Sequence, residues 1–596
     1  MKRIKHLASL SLIALLMPHI INAQKAALPN TNGGRKWWKE AVVYQIYPRS
    51  FKDSDGDGVG DLKGLTSKLD YVKSLGVDII WLNPIYGSPN ADNGYDISNY
   101  DDIMKEFGTM ADFDKMLSEM HKRGLKLVMD LVVNHCSDEH EWFKRARSSR
   151  DNPYRNYFHW WPAENGKPPF RPGSFEVDGS GWRYDTQTNS YYLHYFSYKQ
   201  PDLNWENPKL RKEIFSMMNR WFKKGVDGFR MDVIPFIAKD TTFPVITQEY
   251  LNKHFNGGWD QYMASGPGLH KYLQEMNKEV LSKYDVMTLA EGAGTTKSTA
   301  MKLVDPSRHE LDMSYHFEGV NLGYLPGEFK QMDPNGYKLT EFKKIYSDWD
   351  SVFATKGWGT IYLGNHDQPR MLTRWGNDNP EYREASSKLL STFLLTMRGT
   401  PYYYFGDELG MNNIKFDKID DYKDIETLSM FQQIKNNGGD IERFLNGQKI
   451  GARDNGRTPF QWDAGENAGF TTGTPWLMVN NNHTEINVEG ENKNPNSVLN
   501  YFRKIVKLRK ELPELIYGKY QLLDKNNEKV YAYTRTLGDK KVLVLLNFST
   551  DRPNFDISAL NKGKKLNILA NNVNEINIKQ NVVTMQPWQA LVLRLK

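Results

Sequence analysis

The chain has 596 residues, of which 25% are charged and 13% are aromatic, and a net charge of +6. This length exceeds what one ordinary hydrophobic core holds, so we expect roughly two to four structural units. The basic residues form no stripe of the kind that binds nucleic acid, which excludes that class of partner. The 16 Trp and 32 Tyr residues exceed the needs of a core, as is typical of sites for carbohydrates and other flat-faced ligands.

The first residues have the pattern of an export signal. Three basic residues lie within the first five positions, an apolar run covers residues 7–21, and Ala23 is the small residue at the expected cleavage point. The run is too short to span a bilayer, and no later segment approaches the roughly 20 apolar residues of a membrane helix. Cys136 is the only cysteine, which excludes an internal disulfide. These features predict a signal peptide over residues 1–23 and export to a bacterial periplasm, or secretion.

From residue 36 onward, short apolar segments alternate with amphipathic ones, which indicates strands of a parallel sheet alternating with helices. In the first barrel part, residues 36–133, we predict strands over 41–47, 77–83 and 126–133, with helices over 62–74 and 110–123. Gly76 and Gly124 lie just before the second and third strands, where helix C-caps belong.

Residues 134–204 interrupt this alternation. The segment is rich in Trp, Tyr, Pro and Gly, and its length predicts an inserted small domain rather than a loop. The alternation resumes with a helix over 210–223 and five further strands over 228–233, 286–290, 311–317, 360–363 and 400–405. Eight strand-helix units predict a closed (β/α)8 TIM barrel, whose active site lies at the C-terminal ends of its strands.

The last third of the chain changes character twice. Residues 410–496 are rich in Asn and Gly and predict a subdomain after the eighth strand, within a second barrel part that covers 205–513. A closing helix is expected over 497–510. Short β segments at 530–536, 541–548 and 590–595 then predict a C-terminal all-β sandwich domain over 517–596.

Polar residues collect at the predicted C-terminal rim of the barrel. Arg230 and Asp232 belong to the fourth strand, where alternate residues share a face and can touch. Glu291 follows the fifth strand and Asp367 follows the seventh. The same rim receives Asp130, Asn134, His135 and His366. Three carboxylates from three strands predict a catalytic site at this rim.

Five segments resemble the signature regions of the alpha-amylase family of glycoside hydrolases, in the family's order. They are DLVVNH at 130–135, QPDLNW at 200–205, GFRMDV at 228–233, TLAEG around Glu291 and GNHDQPR at 364–370. Three more are similar to the exo-acting oligo-1,6-glucosidase and alpha-glucosidase group: YQIYPRSF at 44–51, NGYDISNY at 93–100 and RDNGRTPFQW at 453–462. The resemblance implies cleavage of terminal alpha-linked glucose from small oligosaccharides, without an organic cofactor.

The resemblance assigns a role to each acid at the rim. Asp232 is the expected nucleophile, which forms a covalent glucosyl intermediate, and Glu291 is the expected acid/base. Asp367 is expected to stabilise the oxocarbenium-like transition state. We expect Arg230 to depress the pKa of Asp232, and a less polar setting to keep Glu291 protonated.

The resemblance also implies substrate-binding residues. His135 and His366 are expected to donate hydrogen bonds to the same sugar as the three acids. An exo-acting enzyme must close its site beyond the terminal glucose, and Asp96 and Arg457 are expected to form this end wall as an ion pair.

Residues 53–61 read DSDGDGVGD and offer oxygen ligands at alternate positions. Similar loops in the family bind one structural calcium ion. The expected ligands are the carboxylates of Asp53, Asp55, Asp57 and Asp61 and the backbone carbonyl of Val59. The loop is not an EF-hand, because Gly64 takes the place of the bidentate Glu. The alternative is a solvated acidic turn.

Val233, directly after the nucleophile, bears on the bond that is cleaved. In the resembling group, valine at this position accompanies a preference for alpha-1,6 bonds, and smaller residues accompany alpha-1,4 preference. We therefore expect isomaltose-type substrates, although one side chain changes discrimination by about 1–3 kcal/mol.

Two alternatives remain open. A glucosyl transferase or sucrose isomerase, forming trehalulose or isomaltulose, shares the same site; such isomerases carry an arginine-rich loop after the sixth strand, whereas residues 316–323 contain no arginine. That segment also lacks the histidine that follows the Phe-Glu pair in the commoner hydrolases, so the preference for one acceptor molecule over another stays open. A non-catalytic sugar-binding or transporter-associated relative would have lost acids that this chain keeps. A monomer is assumed.

Overall fold

The structure is a computed structural model that describes residues 34–247, 249, 262–561 and 566–595. The predicted signal peptide, residues 1–23, lies outside these residues. Within the described part of the chain, no helix is both long enough and apolar enough to cross a membrane.

Eight parallel strands form the centre of the structure. They are Val43–Ile46, Ile79–Leu82, Lys126–Leu131, Gly228–Met231, Met287–Glu291, Met313–Tyr315, Thr360–Ile361 and Thr400–Tyr404. Each neighbours the next in chain order around the sheet, the first also pairs with the eighth, and a parallel bridge between Ser314 and Gly359 joins the sixth strand to the seventh. This confirms the predicted TIM barrel, since each of the eight predicted segments overlaps one strand.

Helices cover the outer face of the barrel, and the strands are buried along nearly their whole length, as parallel strands under helices should be. The helices are Leu62–Ser67, Leu69–Ser74, Met110–Lys122, Pro208–Lys224, Leu269–Glu279, Lys297–Val304, Leu339–Thr355, Arg383–Thr396 and Val498–Glu511. The helix predicted over 62–74 is broken at Lys68, whose φ is −108° and ψ is 6°. Gly76 has a φ of 80°, the left-handed conformation that ends a helix before a strand.

Two irregular regions stand above the C-terminal rim of the barrel. Between the third and fourth strands lie the helix Glu141–Ala146 and a three-stranded antiparallel sheet of Trp160–Pro162, Ser190–Leu193 and Trp182–Asp185. After the eighth strand come the helices Ile425–Asn436, Ile441–Gly451, Asp454–Arg457 and Val488–Lys493. A short pairing of Tyr86–Gly87 with Asn99–Ile103 follows the second strand. These segments supply the site residues that the barrel strands do not carry.

The C-terminal domain consists of two antiparallel sheets, as predicted. The five-stranded sheet contains Lys519–Leu523, Val530–Leu537, Lys540–Asn547, Ala590–Leu595 and Asn567–Asn571, and the three-stranded sheet contains Asn554–Asp556, Val582–Thr584 and Asn577–Lys579. Leu543 and Leu591 of the larger sheet join Phe555 and Val583 of the smaller one in a single apolar cluster. This shared core makes the pair of sheets a sandwich.

Candidate active site

A cavity of about 300 Å³ opens at the C-terminal rim of the barrel. Asp232, Glu291 and Asp367 all line it, which confirms that the three predicted acids meet. Other lining residues are Asp92, Tyr95, His135, Val233, Phe317, Lys330, His366, Glu426 and Arg453. Arg230 and Arg457 are buried behind this wall.

Arg230 connects three carboxylates. Its Nη1 atom lies 2.6 Å from Asp130 Oδ1 and 2.7 Å from Asp232 Oδ1, and its Nη2 atom lies 2.6 Å from Glu291 Oε2. The strand register explains the arrangement, because Arg230 lies directly opposite Asp130 on the third strand. One guanidinium balances only one of three negative charges, so this buried group retains protons that its members share.

The pKa of Asp232 is raised, not depressed as predicted. Burial is the largest cause; Arg230 opposes it, while Glu291 and Asp130 add to it. Burial likewise raises the pKa of Asp130 to about 6, against the opposing effect of Arg230. Arg230 does act in the predicted direction, but burial outweighs it, and the sequence reveals neither the depth of burial of Asp232 nor the two further carboxylates that share the arginine.

Glu291 is the last residue of the fifth strand and is almost fully buried. Its Oε2 atom accepts the backbone N–H of Val233 at 2.7 Å and lies beside Arg230 Nη2. The expected less polar setting is present only in part, because Glu291 is buried but the fourth strand brings the Arg230 cation to it from across the sheet. Binding of both Asp232 and Glu291 to one guanidinium is compatible with the ~5 Å spacing of retaining glycosidases.

Asp367 is held by two arginines and a histidine. Its Oδ1 atom accepts hydrogen bonds from Arg453 Nη1 at 3.1 Å and Arg457 Nη2 at 3.3 Å, and its Oδ2 atom lies 3.1 Å from His366 Nε2. Burial alone would raise the pKa of Asp367, but His366, Arg453 and Arg457 hold it below its usual range. An ionised carboxylate at this position suits the stabilisation of a positively charged transition state.

His135 and His366 are neutral donors in the cavity wall. Burial lowers the pKa of each to about 3. Gln45 Nε2 lies 2.9 Å from His366 Nδ1, so we place the proton on His366 Nε2, which faces the Tyr95 hydroxyl at 2.7 Å as well as Asp367. His135 Nε2 faces the Tyr95 carbonyl oxygen at 3.1 Å. Their hydrogen bonds to a sugar stay a prediction.

The predicted ion pair of Asp96 with Arg457 does not form. Asp96 accepts hydrogen bonds from the Ser88 hydroxyl and from the backbone N–H groups of Ala91 and Asp92, so it braces the turn that precedes it. Arg457 pairs instead with Asp424 at 3.3 Å and with Asp367.

Asp92 and Arg453 take the predicted place of that pair. Arg453 Nη2 lies 3.8 Å from Asp92 Oδ1, and both residues line the cavity. Burial raises the pKa of Asp92 to about 7, while Arg453 and Arg457 oppose this rise. The motifs did point here: Asp92 directly precedes NGYDISNY and Arg453 begins RDNGRTPFQW. The sequence located the segments, and the fold selects the residue within each.

Two further charged residues in the cavity had no motif to reveal them. Lys330, in the segment after the sixth strand, contacts Glu426 at 2.6 Å, and Glu426 lies 3.1 Å from Arg453.

Val233, whose role in bond preference was predicted, has a φ of 32°, which is rare for a β-branched residue.

Comparison with known families agrees with this geometry. The family described as alpha amylase, catalytic domain, matches residues 45–518. The chain belongs to the alpha-amylase family. A second family, described as maltogenic amylase, C-terminal domain, matches residues 520–592.

Several relatives match this family member over almost their whole length. An oligo-1,6-glucosidase of Parageobacillus thermoglucosidasius is 51% identical over 94% of this chain and 99% of its own. An oligo-1,6-glucosidase of Bacillus cereus is 48% identical over 94% of this chain and 100% of its own. The solved structure of an isomaltulose synthase from Protaminobacter rubrum has a TM-score of 0.90 and 44% identity, over 94% of this chain and 100% of that one.

The acidic loop of this family member brings three carboxylates together. Candidate ligand atoms of Asp53, Asp55 and Asp61 lie within 4.8 Å of one another. Asp57, a fourth predicted ligand, is not a member of this group. Its pKa is raised by burial and by the charges of the other three aspartates. Hard oxygen donors converging in this way fit a divalent cation such as Ca²⁺. The Val59 carbonyl stays a predicted ligand.

Proposed function

We propose that the chain is an exo-acting retaining alpha-glucosidase of the oligo-1,6-glucosidase type, which hydrolyses terminal alpha-1,6 bonds of short gluco-oligosaccharides. The joint binding of Asp232 and Glu291 to Arg230, in a cavity that also contains Asp367, carries this conclusion. Both relatives named oligo-1,6-glucosidase, at 51% and 48% identity over nearly full length, support the bond preference.

The chemistry follows from the positions of these groups. A carboxylate oxygen of Asp232 attacks the anomeric carbon while Glu291 gives its proton to the departing glycosidic oxygen, which forms a glucosyl ester on Asp232. Glu291 then takes a proton from water, whose oxygen attacks the same carbon and releases Asp232. Two inversions give glucose with the alpha configuration. The proton shared around Arg230 supplies the acid form that the first step requires.

Exo action requires a wall beyond the terminal glucose, and we assign this wall to Asp92 and Arg453. Asp92 and Arg453 face each other at 3.8 Å and present charged hydrogen-bonding groups to the outer hydroxyls of a terminal glucose. Asp367, bound to the same Arg453, places its carboxylate toward the same sugar. A site built in this way accepts a chain end and rejects an internal segment.

One observation favours a second function, glucosyl transfer or sucrose isomerisation. The isomaltulose synthase of Protaminobacter rubrum has the same fold at a TM-score of 0.90. Its identity of 44% is below that of the oligo-1,6-glucosidases of Parageobacillus thermoglucosidasius and Bacillus cereus, and the segment 316–323 of this chain contains no arginine. We therefore place hydrolysis first.

Product identification tests the proposal. The purified protein is incubated separately with isomaltose, maltose, sucrose and trehalose, and the products are identified by chromatography and their anomeric form by NMR. We expect glucose from isomaltose as the fastest reaction, with alpha-glucose formed first. Isomaltulose or trehalulose from sucrose would favour the second function, and beta-glucose as the first product would contradict a retaining mechanism.

The nucleophile is tested with a matched pair of variants. Asp232→Asn is expected to abolish release of nitrophenol from 4-nitrophenyl alpha-glucoside. Asp539→Asn makes the same chemical change at an exposed turn of the C-terminal domain and should leave the rate unchanged. Activity retained by Asp232→Asn would overturn the assignment.

We also propose that the acidic loop binds one structural Ca²⁺ and that the protein is exported. The convergence of Asp53, Asp55 and Asp61 supports the first proposal, and the basic start with its apolar run over 7–21 supports the second. Expression of the full chain in a bacterium followed by N-terminal sequencing should give a mature protein that begins near residue 24. A mature protein that retains residues 1–23 in the cytoplasm would contradict export.

A further inference from the structure

One continuous path of polar contacts between side chains links all three acids of the proposed mechanism. It runs from Asp367 to His366 at 3.1 Å, from His366 to the Tyr95 hydroxyl at 2.7 Å, and from that hydroxyl to Asp130 Oδ2 at 3.0 Å. Asp130 Oδ1 then binds Arg230, which binds Asp232 and Glu291. Asp130 is the residue that joins the two halves of this path of contacts.

Asp130 cannot act by touching the sugar. It is fully buried and is not among the described residues that line the cavity. Trp81 Nε1 donates to its Oδ2 atom at 3.1 Å, as the Tyr95 hydroxyl also does, and Arg230 Nη1 donates to its Oδ1 atom. A buried carboxylate with this many donors is costly to place and must act through its partners.

We propose that Asp130 is a positioning residue of the proposed glucosidase, which fixes Arg230 between Asp232 and Glu291 and adds a negative charge that both catalytic acids sense. This inference rests on the proposed function. Its physical basis is the shared arginine: Asp130 competes with Asp232 for the Nη1 atom, at 2.6 and 2.7 Å. Removing that competitor leaves Asp232 and Glu291 as the two carboxylates that share the guanidinium, whose Nη2 atom also donates to the Tyr315 hydroxyl.

The charge effect has a definite direction. Three titratable or charged groups contact Asp130 directly: Arg230 on the fourth strand, and Tyr95 and Tyr86 from the segment after the second strand. Three more lie one contact further away: His366 behind Tyr95, and Asp232 and Glu291 beyond Arg230. His366 is neutral, because burial lowers its pKa to about 3. Asp130 raises the pKa of Asp232, so loss of its charge makes proton release from Asp232, and hence from the group around Arg230 as a whole, easier.

The test is the pH dependence of kcat/KM for 4-nitrophenyl alpha-glucoside in wild type and Asp130→Asn. The rising limb follows ionisation of the nucleophile and the falling limb follows loss of the acid's proton, each as a property of the coupled group. We expect both limbs of Asp130→Asn to move to lower pH by about one unit, since a like charge at this range shifts a pKa by ~1–3 units. KM should change less than kcat.

Tyr86→Phe is the matched control. It removes the hydrogen bond from the Tyr86 hydroxyl to the Asp130 backbone carbonyl, 2.9 Å long, without a change of charge, and its limbs should match those of wild type. Should Asp130→Asn fail to fold, Trp81→Phe removes one donor from Asp130 Oδ2. This weakens the charged form of Asp130 and should move both limbs in the same direction by a smaller amount.

The outcomes separate the two proposals. An inactive wild type would overturn the proposed function itself. An active wild type with unmoved limbs in a folded Asp130→Asn, or in Trp81→Phe if the first variant does not fold, would overturn this inference alone. A variant that changes mainly KM would also overturn it, because that result requires contact between Asp130 and the sugar.

Discussion

Val233 donates its backbone N–H to Glu291 Oε2 at 2.7 Å while its own backbone is held in the left-handed region, at φ 32° and ψ 41°. Such a conformation costs a β-branched residue about 1–3 kcal/mol and persists because the surrounding structure enforces it. The residue that is predicted to influence bond preference thus also donates a hydrogen bond to the predicted acid/base.

Replacement of Val233 should separate these two effects. We expect Val233→Gly to relieve the backbone strain and raise the midpoint of thermal unfolding, because glycine adopts positive φ freely. The loss of the side chain should lower the ratio of isomaltose to maltose turnover by about 10-fold, since one apolar side chain is worth ~1–3 kcal/mol of discrimination.

Val233→Ala is the matched comparison, because it removes both γ-methyl groups and keeps the backbone penalty. Its substrate ratio should fall as in Val233→Gly, without the gain in thermal stability. Equal ratios for wild type and both variants would show that Val233 does not set bond preference.

The corrected end wall predicts a contrast between two neighbouring aspartates. Asp92→Asn should lower kcat/KM for isomaltose by about 10- to 100-fold, since a hydrogen bond from a charged group contributes ~1.5–3 kcal/mol. Asp96→Asn should mainly lower the free energy of unfolding, because Asp96 braces a turn through three hydrogen bonds. Steady-state kinetics and thermal melts on both variants decide; a larger kinetic effect at Asp96 would restore the original prediction.

Asp92 should also give the protein a pH-dependent instability. Its pKa is raised to about 7 in the folded state, chiefly by burial, against about 3.9 when unfolded. A raised pKa means that the stability linked to the protonated form is complete below pH ~4 and is lost as pH rises toward 7. Asp92→Asn removes this loss, so the variant should gain stability relative to wild type between pH 4 and 7, by a few kcal/mol at pH 8. Denaturant unfolding at pH 5 and pH 8 measures the free energy of unfolding of both proteins. An equal difference between Asp92→Asn and wild type at the two pH values would contradict this prediction.

Removal of calcium should lower stability without abolishing the fold. If the loop binds Ca²⁺ in the native state only, 100-fold saturation contributes ~2.7 kcal/mol, so a chelator should lower the unfolding midpoint by several degrees. Asp61→Asn should reduce this response. The control is Asp539→Asn, whose response to the chelator should equal that of wild type. An unchanged melting curve with no metal in the purified protein would leave only a solvated acidic turn.

The sequence predicted the barrel and its acids because both rest on local patterns. Apolar segments at regular intervals specify the strands, and Glu291 and Asp367 fall at strand ends. It failed where the answer depends on distance in space between remote segments. No residue near Glu291 in the sequence predicts its contact with Arg230. Asp92 and Asp96 are four residues apart, and only the folded turn between them shows which of the two lines the cavity. Lys330 and Glu426 lie in segments without periodicity, so only their convergence on the cavity reveals them.

The acidic loop is closed by a residue from far along the chain. The Thr471 hydroxyl donates to Asp53 Oδ2, across 418 positions of sequence, and the Asp53 backbone N–H donates to the Phe470 carbonyl at 3.1 Å. During synthesis the loop therefore leaves the ribosome long before Phe470 and Thr471, which hold Asp53 in place, have been made. For the proposed calcium site, metal binding in the final geometry would then follow late in assembly, so withholding calcium during folding and removing it from the folded protein should have different effects on stability.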